Sequence, residues 1–253
     1  MEKAYYNIRH FNKVFWIIVC LILFNLTSCG LDTFYILDPP KNILHQPSYT
    51  NIDKIYNYFE FETNENGFDG SFKFTGTDVY YKIYNNHTTM QSEVDRIITL
   101  ADSETNSSSA IDYLINKDKY SYSKLIYEGN TSGTLVPYKN KSRKVRIRLT
   151  DFQNEVENSS RITIDGTFVG IPLRNSSDKL TFNFGRNSID YEINKIPVDS
   201  DEDVKISSSS SESGEWYVAM FAVASGWDTT FAPINSVPLY LGSVTIDSNS
   251  EDN

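Results

Sequence analysis

Few residues of this chain have a type and spacing that could do chemistry. Asp199, Asp201 and Asp203 alternate along one stretch, and three carboxylates so placed offer hard oxygens to a cation such as calcium. A twelve-residue calcium loop also needs glycine at its sixth position and glutamate at its last. Val204 and Ser210 stand there, so the stretch is a weak cation candidate and reads as a solvated acidic loop. Tyr80, Tyr81, Tyr84, Trp216 and Trp227 could form an aromatic platform for a sugar ring or a peptide, because such rings combine large apolar area with a polar handle. Most of them are expected in the core. Trp227, with Tyr84, is the binding candidate, since it lies in the loop expected at residues 225–235, and loops carry recognition more often than strands do. No serine sits in a Gly-x-Ser-x-Gly elbow. His45 and His87 are far apart in sequence, and His87, beside Asn85 and Asn86, reads as an ordinary surface residue. No catalytic residue, metal site or cofactor is assigned.

The elements that must hold these residues are mostly strands. Phe59, Phe61 and Thr63 alternate with Glu60 and Glu62, and residues 72–84 put Val79, Tyr81 and Ile83 on one face. Residues 124–127 and 144–150 continue the pattern. Residues 161–173 read as a hairpin turned by Asp165-Gly166, a strong two-residue turn signal. Residues 180–184 and 188–193 suggest another pair, turned near residues 185–187. Residues 216–224 are apolar on both faces, which marks a central strand, and residues 238–246 close the fold. Between the strands, Met90, Val94, Ile97, Ile98 and Ala101 recur at helical spacing. Thr89 could cap this helix, and Ser109 with Asp112 could cap a second, so residues 89–116 are predicted to be a helical insertion lying over one side of the sheet. Residues 198–214, acidic and then serine-rich, are expected to be a mobile loop, and residues 248–253 a polar tail. The fold class is therefore mainly β, an elaborated antiparallel β-sandwich with a short helical insertion. One sandwich over residues 55–247 is expected; two, split near Asn140, are the alternative.

Two stretches resemble a fibronectin type III or immunoglobulin-like sandwich. Gly76-Thr77-Asp78-Val79-Tyr80-Tyr81 is similar to the strand of that fold that reads Gly-x-x-Val-Tyr-Tyr. Tyr217 with alternating Ala219, Phe221 and Val223, then Ser225-Gly226 and Pro233, is similar to its last two strands. The resemblance implies that Tyr217 is a corner tyrosine. It covers about a quarter of the body, and the helical insertion has no counterpart in a domain of about 100 residues.

The amino terminus carries the most specific motif. Lys3, Arg9 and Lys13 precede an unbroken apolar run over residues 14–24, the pattern of a secretory signal peptide. The run is short of the roughly 20 residues of a membrane-spanning helix. It ends in Leu26-Thr27-Ser28-Cys29, which resembles a bacterial lipobox. That resemblance implies a signal peptide over residues 1–28, cleavage before Cys29 and acylation of its thiol, followed by a proline-containing tether over residues 29–54. Two or more acyl chains hold a protein stably on a bilayer. Gly30 follows the cysteine where some families place an aspartate to retain the protein in the inner membrane, so an outer-membrane or cell-surface location is expected.

Charge and cysteine usage narrow the partners. The first 28 residues hold three of the 23 basic side chains and one of the 33 acidic ones, leaving 20 against 32, a net charge of −12. Such a body is repelled by phosphate backbones, which argues against nucleic acid. Cys20 and Cys29 are the only cysteines, so the body after Cys29 has no disulfide or thiolate metal site to draw on. The expected function is a membrane-anchored lipoprotein with a binding or structural role toward an envelope protein or a glycan, and not an enzyme. Alternatives are a lipid-anchored glycan hydrolase using paired carboxylates and a subunit of an envelope transport or assembly complex.

Overall fold

The sandwich is built around a strand that is apolar on both sides. A computed structural model describes residues 37–65, 72–103, 105, 107–116, 122–130, 133–150, 159–175, 182–185, 196–208 and 215–247. In chain order the strands are β1 (Asn42–His45), β2 (Phe59–Glu62) and β3 (Lys73–Tyr84), followed by helices α1 (His87–Ala101) and α2 (Ser107–Ile115). Then come β4 (Ser123–Lys124), β5 (Ile126–Tyr127), β6 (Val136–Pro137), β7 (Lys144–Arg148), β8 (Arg161–Ile164), β9 (Thr167–Gly170) and β10 (Pro172–Leu173). The chain closes with β11 (Val204–Lys205), β12 (Glu215–Trp227), β13 (Pro233–Asn235) and β14 (Leu239–Asp247). One antiparallel sheet has the order β1-β2-β7-β8-β9. The second is centred on β3 and β12, which pair antiparallel from Tyr84–Tyr217 to Lys73–Trp227. β14 and β13 flank β12, while β6, β4 and β11 line the outer edge of β3. Among these pairings only β11 with β3 is parallel. A short ribbon joins β5 to β10.

Alternation along the strands sorts the core into layers. Val79, Tyr81 and Ile83 of β3 and Val218, Met220 and Ala222 of β12 meet Phe59, Phe61, Val145, Ile147 and Ile162 of the facing sheet. The opposite face of β12 presents Ala219, Phe221 and Val223 to Met90, Val94, Ile97 and Leu114 of the helices. The helical insertion thus covers the outer face of the second sheet, where the periodicity predicted it. Its cap differs. Asn86 is the N-cap of α1, accepting from the Thr89 amide, because its side chain reaches the third helical amide one turn earlier than Thr89 could. α2 begins at Ser107, ahead of the Ser109 and Asp112 pair.

The 161–173 hairpin forms as expected, with Asp165 and Gly166 both at positive φ in the turn. The split near Asn140 does not occur: β6 and β7 lie on either side of Asn140 but belong to facing sheets around one shared core. The described part of the 29–54 segment is integrated into the body. Leu37 is buried, β1 pairs with β2, and the Ser243 amide donates to the Pro47 carbonyl. The expected strands over 180–184 and 188–193 fall mostly outside the described residues, as do the signal segment, Cys29, the rest of the serine-rich stretch and the tail.

Gly76 sets how closely β6 approaches β3. It has φ +140, and a Cβ there would overlap the Val136 carbonyl oxygen. Gly76→Ala is expected to lower the unfolding free energy by about 2–3 kcal/mol through backbone strain and this clash. A lower denaturant midpoint at unchanged slope would show it.

Candidate functional site

Most of the candidate aromatics lie in the core, as expected, and they form no single surface. Strand alternation sends Tyr81 into the inter-sheet core, where it is 0 % exposed, and turns Tyr80 and Tyr84 toward the helices. Tyr84 is not a surface binding residue. Its hydroxyl donates to Glu93 Oε2 at 2.7 Å and lies 2.9 Å from the Tyr122 hydroxyl. Lys82, also buried, reaches Glu93 Oε2 at 3.4 Å and lies over the rings of Tyr84 and Tyr122. Burial lowers the Lys82 ammonium below its ordinary value, and Glu93 opposes that shift. Trp216 packs in the core, and Trp227 lies at the opposite end of β12.

The acidic stretch is a structural clamp. Asp201 and Asp203 are buried and face the guanidinium of Arg174, itself 0 % exposed. Arg174 Nε donates to Asp203 Oδ2 at 2.8 Å, and its Nη2 donates to Asp201 Oδ2 at 2.6 Å and to Asp203 Oδ1. The Tyr81 hydroxyl donates to Asp203 Oδ2 at 2.7 Å, and the Val198 amide caps Asp201. Two of the three carboxylates proposed for a cation are therefore committed to an arginine that sequence reasoning missed. Only Asp199 remains exposed. The expectation of a mobile loop is corrected over residues 198–208: this ion cluster and the pairing of β11 with β3 fix them. Among the described residues no group of acidic, histidine or cysteine side chains is arranged to hold a metal. His87, at the start of α1, is half-buried and stacks on Tyr49 at 5.5 Å, with Tyr217 edge-on at 5.8 Å.

Trp227 is the sequence candidate that the fold leaves open, 42 % exposed. It is the last residue of β12, opposite Lys73, with the loop 228–232 just beyond it. That loop is organised by Asp228. Its carboxylate accepts from the Thr230 amide and hydroxyl and from the Ala232 amide, each at 2.8 Å, and its carbonyl accepts from the Phe231 amide. These bonds, the Thr230 hydroxyl first, hold the Asp228 carboxyl below the usual carboxylate value. Phe231 is thereby carried at φ +65 and left 83 % exposed. A bulky residue in the left-handed region is uncommon and strained. Nothing in its sequence neighbourhood marked Phe231, because the strain comes from the turn that Asp228 closes.

A second loop at the same end is fixed from below. Glu65, 0 % exposed, pairs with Arg143 at 2.7 Å and accepts from the Lys139 amide at 2.8 Å. Arg143 also donates to the Pro137 carbonyl, and its amide donates to Thr63 Oγ1. This pins residues 137–143 and presents Tyr138, edge-on against Phe74 at 5.3 Å, with Lys139 and Lys141 exposed beside it. The candidate site is thus an aromatic end with lysines around it, drawn from β3, the 137–143 loop and the β12–β13 loop.

Two outcomes follow from the buried groups. Arg174→Met leaves Asp201 and Asp203 buried without a cation and is expected to cost about 3–5 kcal/mol. Adding Asp201→Asn and Asp203→Asn should recover part of that loss, as read by urea unfolding. Burial, with Asp203 for Tyr81 and with Tyr122 and Glu93 for Tyr84, raises both phenols well above their ordinary value. The unfolded chain releases these protons from about pH 10 upward, while the folded protein retains them. Their contribution to stability is therefore intact below about pH 10 and lost above it. The phenolate absorbance of these tyrosines is expected to appear together with alkaline unfolding, after the exposed tyrosines have titrated.

No family model matches the chain, and no curated protein or solved structure matches it.

Proposed function

We propose that this protein is a bacterial lipoprotein, acylated at Cys29 and held at the outer membrane or cell surface, whose sandwich serves as a binding or structural module of the envelope. The observation that carries the reading is Leu26-Thr27-Ser28-Cys29 at the end of a short apolar run behind a basic head. The exposed aromatic end gives such a module a contact surface. No helix among the described residues is long and apolar enough to cross a membrane.

The strand order supports the likeness to fibronectin type III and immunoglobulin sandwiches. β3-β12-β14 stand as strands C, F and G do in that fold, and β1-β2-β7 as A, B and E. β8 occupies the place of D yet follows β7 in the chain, which is a departure. Tyr217 turns its ring toward Tyr49 and His87, and its hydroxyl donates to Glu215 Oε2 at 3.3 Å. Asp201 and Asp203 share Arg174 in the interior, so this acidic pair does not favour the hydrolase alternative.

In the native host, the wild-type chain is expected to incorporate a palmitate analogue and to float with membranes. Cys29→Ala is expected to incorporate none and to accumulate as the unprocessed precursor. Equal labelling and processing of Cys29→Ala, or a native protein free in the cytosol, would overturn the reading.

A further inference from the structure

The end of the sandwich that carries Trp227 differs from the rest of the molecule in three ways. The first is apolar. Trp227, Phe231 and Tyr138 are 42 %, 83 % and 37 % exposed; the Asp228 hydrogen bonds organise the loop beside Trp227 that carries Phe231, and the half-buried bond from the Lys139 amide to Glu65 holds the loop of Tyr138. Two rigid loops hold aromatic rings out in water, an arrangement that costs stability and needs a partner.

The second is charge. Lys73 pairs with Trp227 in register, and Lys139 and Lys141 flank Tyr138; all three ammonium groups lie on exposed residues. Lys41 and Lys144 are exposed at the same end. Acidic groups share this end: Glu65 is paired with Arg143, Asp165 with Lys141 and Glu60 with Lys144, while Asp228 keeps its charge within its own loop. Lys73 and Lys139 thus stand exposed beside the aromatic rings.

The third is the course of the chain. Leu37 packs beside Phe74 and Ala224, with Phe72 and Ile234 against them, so the polypeptide enters the body at this end. Leu37 is the eighth residue after Cys29, a reach of about 29 Å when fully extended.

We propose that this end docks on the bilayer itself. Trp227 and Phe231 enter the boundary between headgroups and acyl chains, and Lys73, Lys139 and Lys141 face anionic headgroups. The proposal rests on acylation of Cys29 and adds an orientation to it. Aromatic rings favour the membrane interface, and basic side chains beside them are drawn to anionic lipid within a Debye length. β3 and β12 then rise from the membrane and present Tyr49, His87 and Tyr217 about 35 Å away at the outer end.

The test uses the mature, acylated protein reconstituted in vesicles of phosphatidylcholine, with or without phosphatidylglycerol, containing lipid brominated just below the headgroup. The emission of Trp227 is the difference between wild type and Trp227→Phe. The proposal expects that emission to fall about twofold or more on brominated lipid. It expects a larger fall in anionic vesicles, lessened by salt and by Lys73→Glu with Lys139→Glu and Lys141→Glu. Unquenched Trp227 emission in protein that still floats with the vesicles would overturn the docking and leave the anchor standing. Emission indifferent to brominated lipid but shifted by detergent-extracted envelope proteins would assign this end to a protein partner and also overturn it. Acyl labelling that survives Cys29→Ala would instead remove the anchor.

Discussion

The pairing of β3 with β12 is the constraint from which the layers follow. β12 offers neither face to water: Val218, Met220 and Ala222 point one way, Ala219, Phe221 and Val223 the other, and all are buried. A strand of this kind needs cover on both sides. The β1-β2-β7-β8-β9 sheet supplies one cover and the helices the other. Isolated helices of this length are marginal in water, so α1 and α2 owe their stability to the apolar surface that β12 holds out to them. The small side chains of Ala219 and Ala222 keep both covering layers close.

Buried charges lie where peripheral segments meet this central pair. Lys82 and Glu93 join β3 to α1, Arg174 with Asp201 and Asp203 ties the 198–205 stretch to Tyr81 of β3, and Glu65 with Arg143 closes the 137–143 loop. Buried ion pairs gain little net stability over well-packed apolar groups, because desolvation offsets their attraction, but half of one is costly to bury. Each pair therefore fixes the one arrangement in which its partner is present. Segments with few apolar residues of their own acquire defined positions in this way.

Which parts were legible in the sequence follows from the range of the interactions involved. Alternation along 72–84 and 216–224, the Asp165-Gly166 turn and the helical spacing of 90–101 are local patterns, and each produced the element expected. The two-faced apolar character of 216–224 even gave its central place. The role of Asp201 and Asp203 was not legible, because Arg174 approaches from a distant segment and converts an apparent cation loop into a clamp. Tyr84 shared a motif with Tyr80 and Tyr81, but whether the helix-facing side of β3 is open depends on where the insertion packs. Trp227 was found because a loop was expected at residues 225–235, although β12 runs on to include it. Phe231 and the lysines were not, since register alone brings Lys73, the 137–143 loop and the β12–β13 loop to one end.

The two ends of the sandwich are therefore unequal for reasons beyond composition. Packing does not require Phe231 to occupy left-handed backbone or to stand in solvent, and a turn without that strain would close β12 to β13 as well. Strained residues persist only where the surrounding structure over-determines them, and here three bonds to one Asp228 carboxylate do so. The Glu65–Arg143 pair likewise secures a loop whose lysines stand outside the core. At this end, where Leu37 joins the body, the exposed rings are positioned by polar bonds within their loops more than by burial.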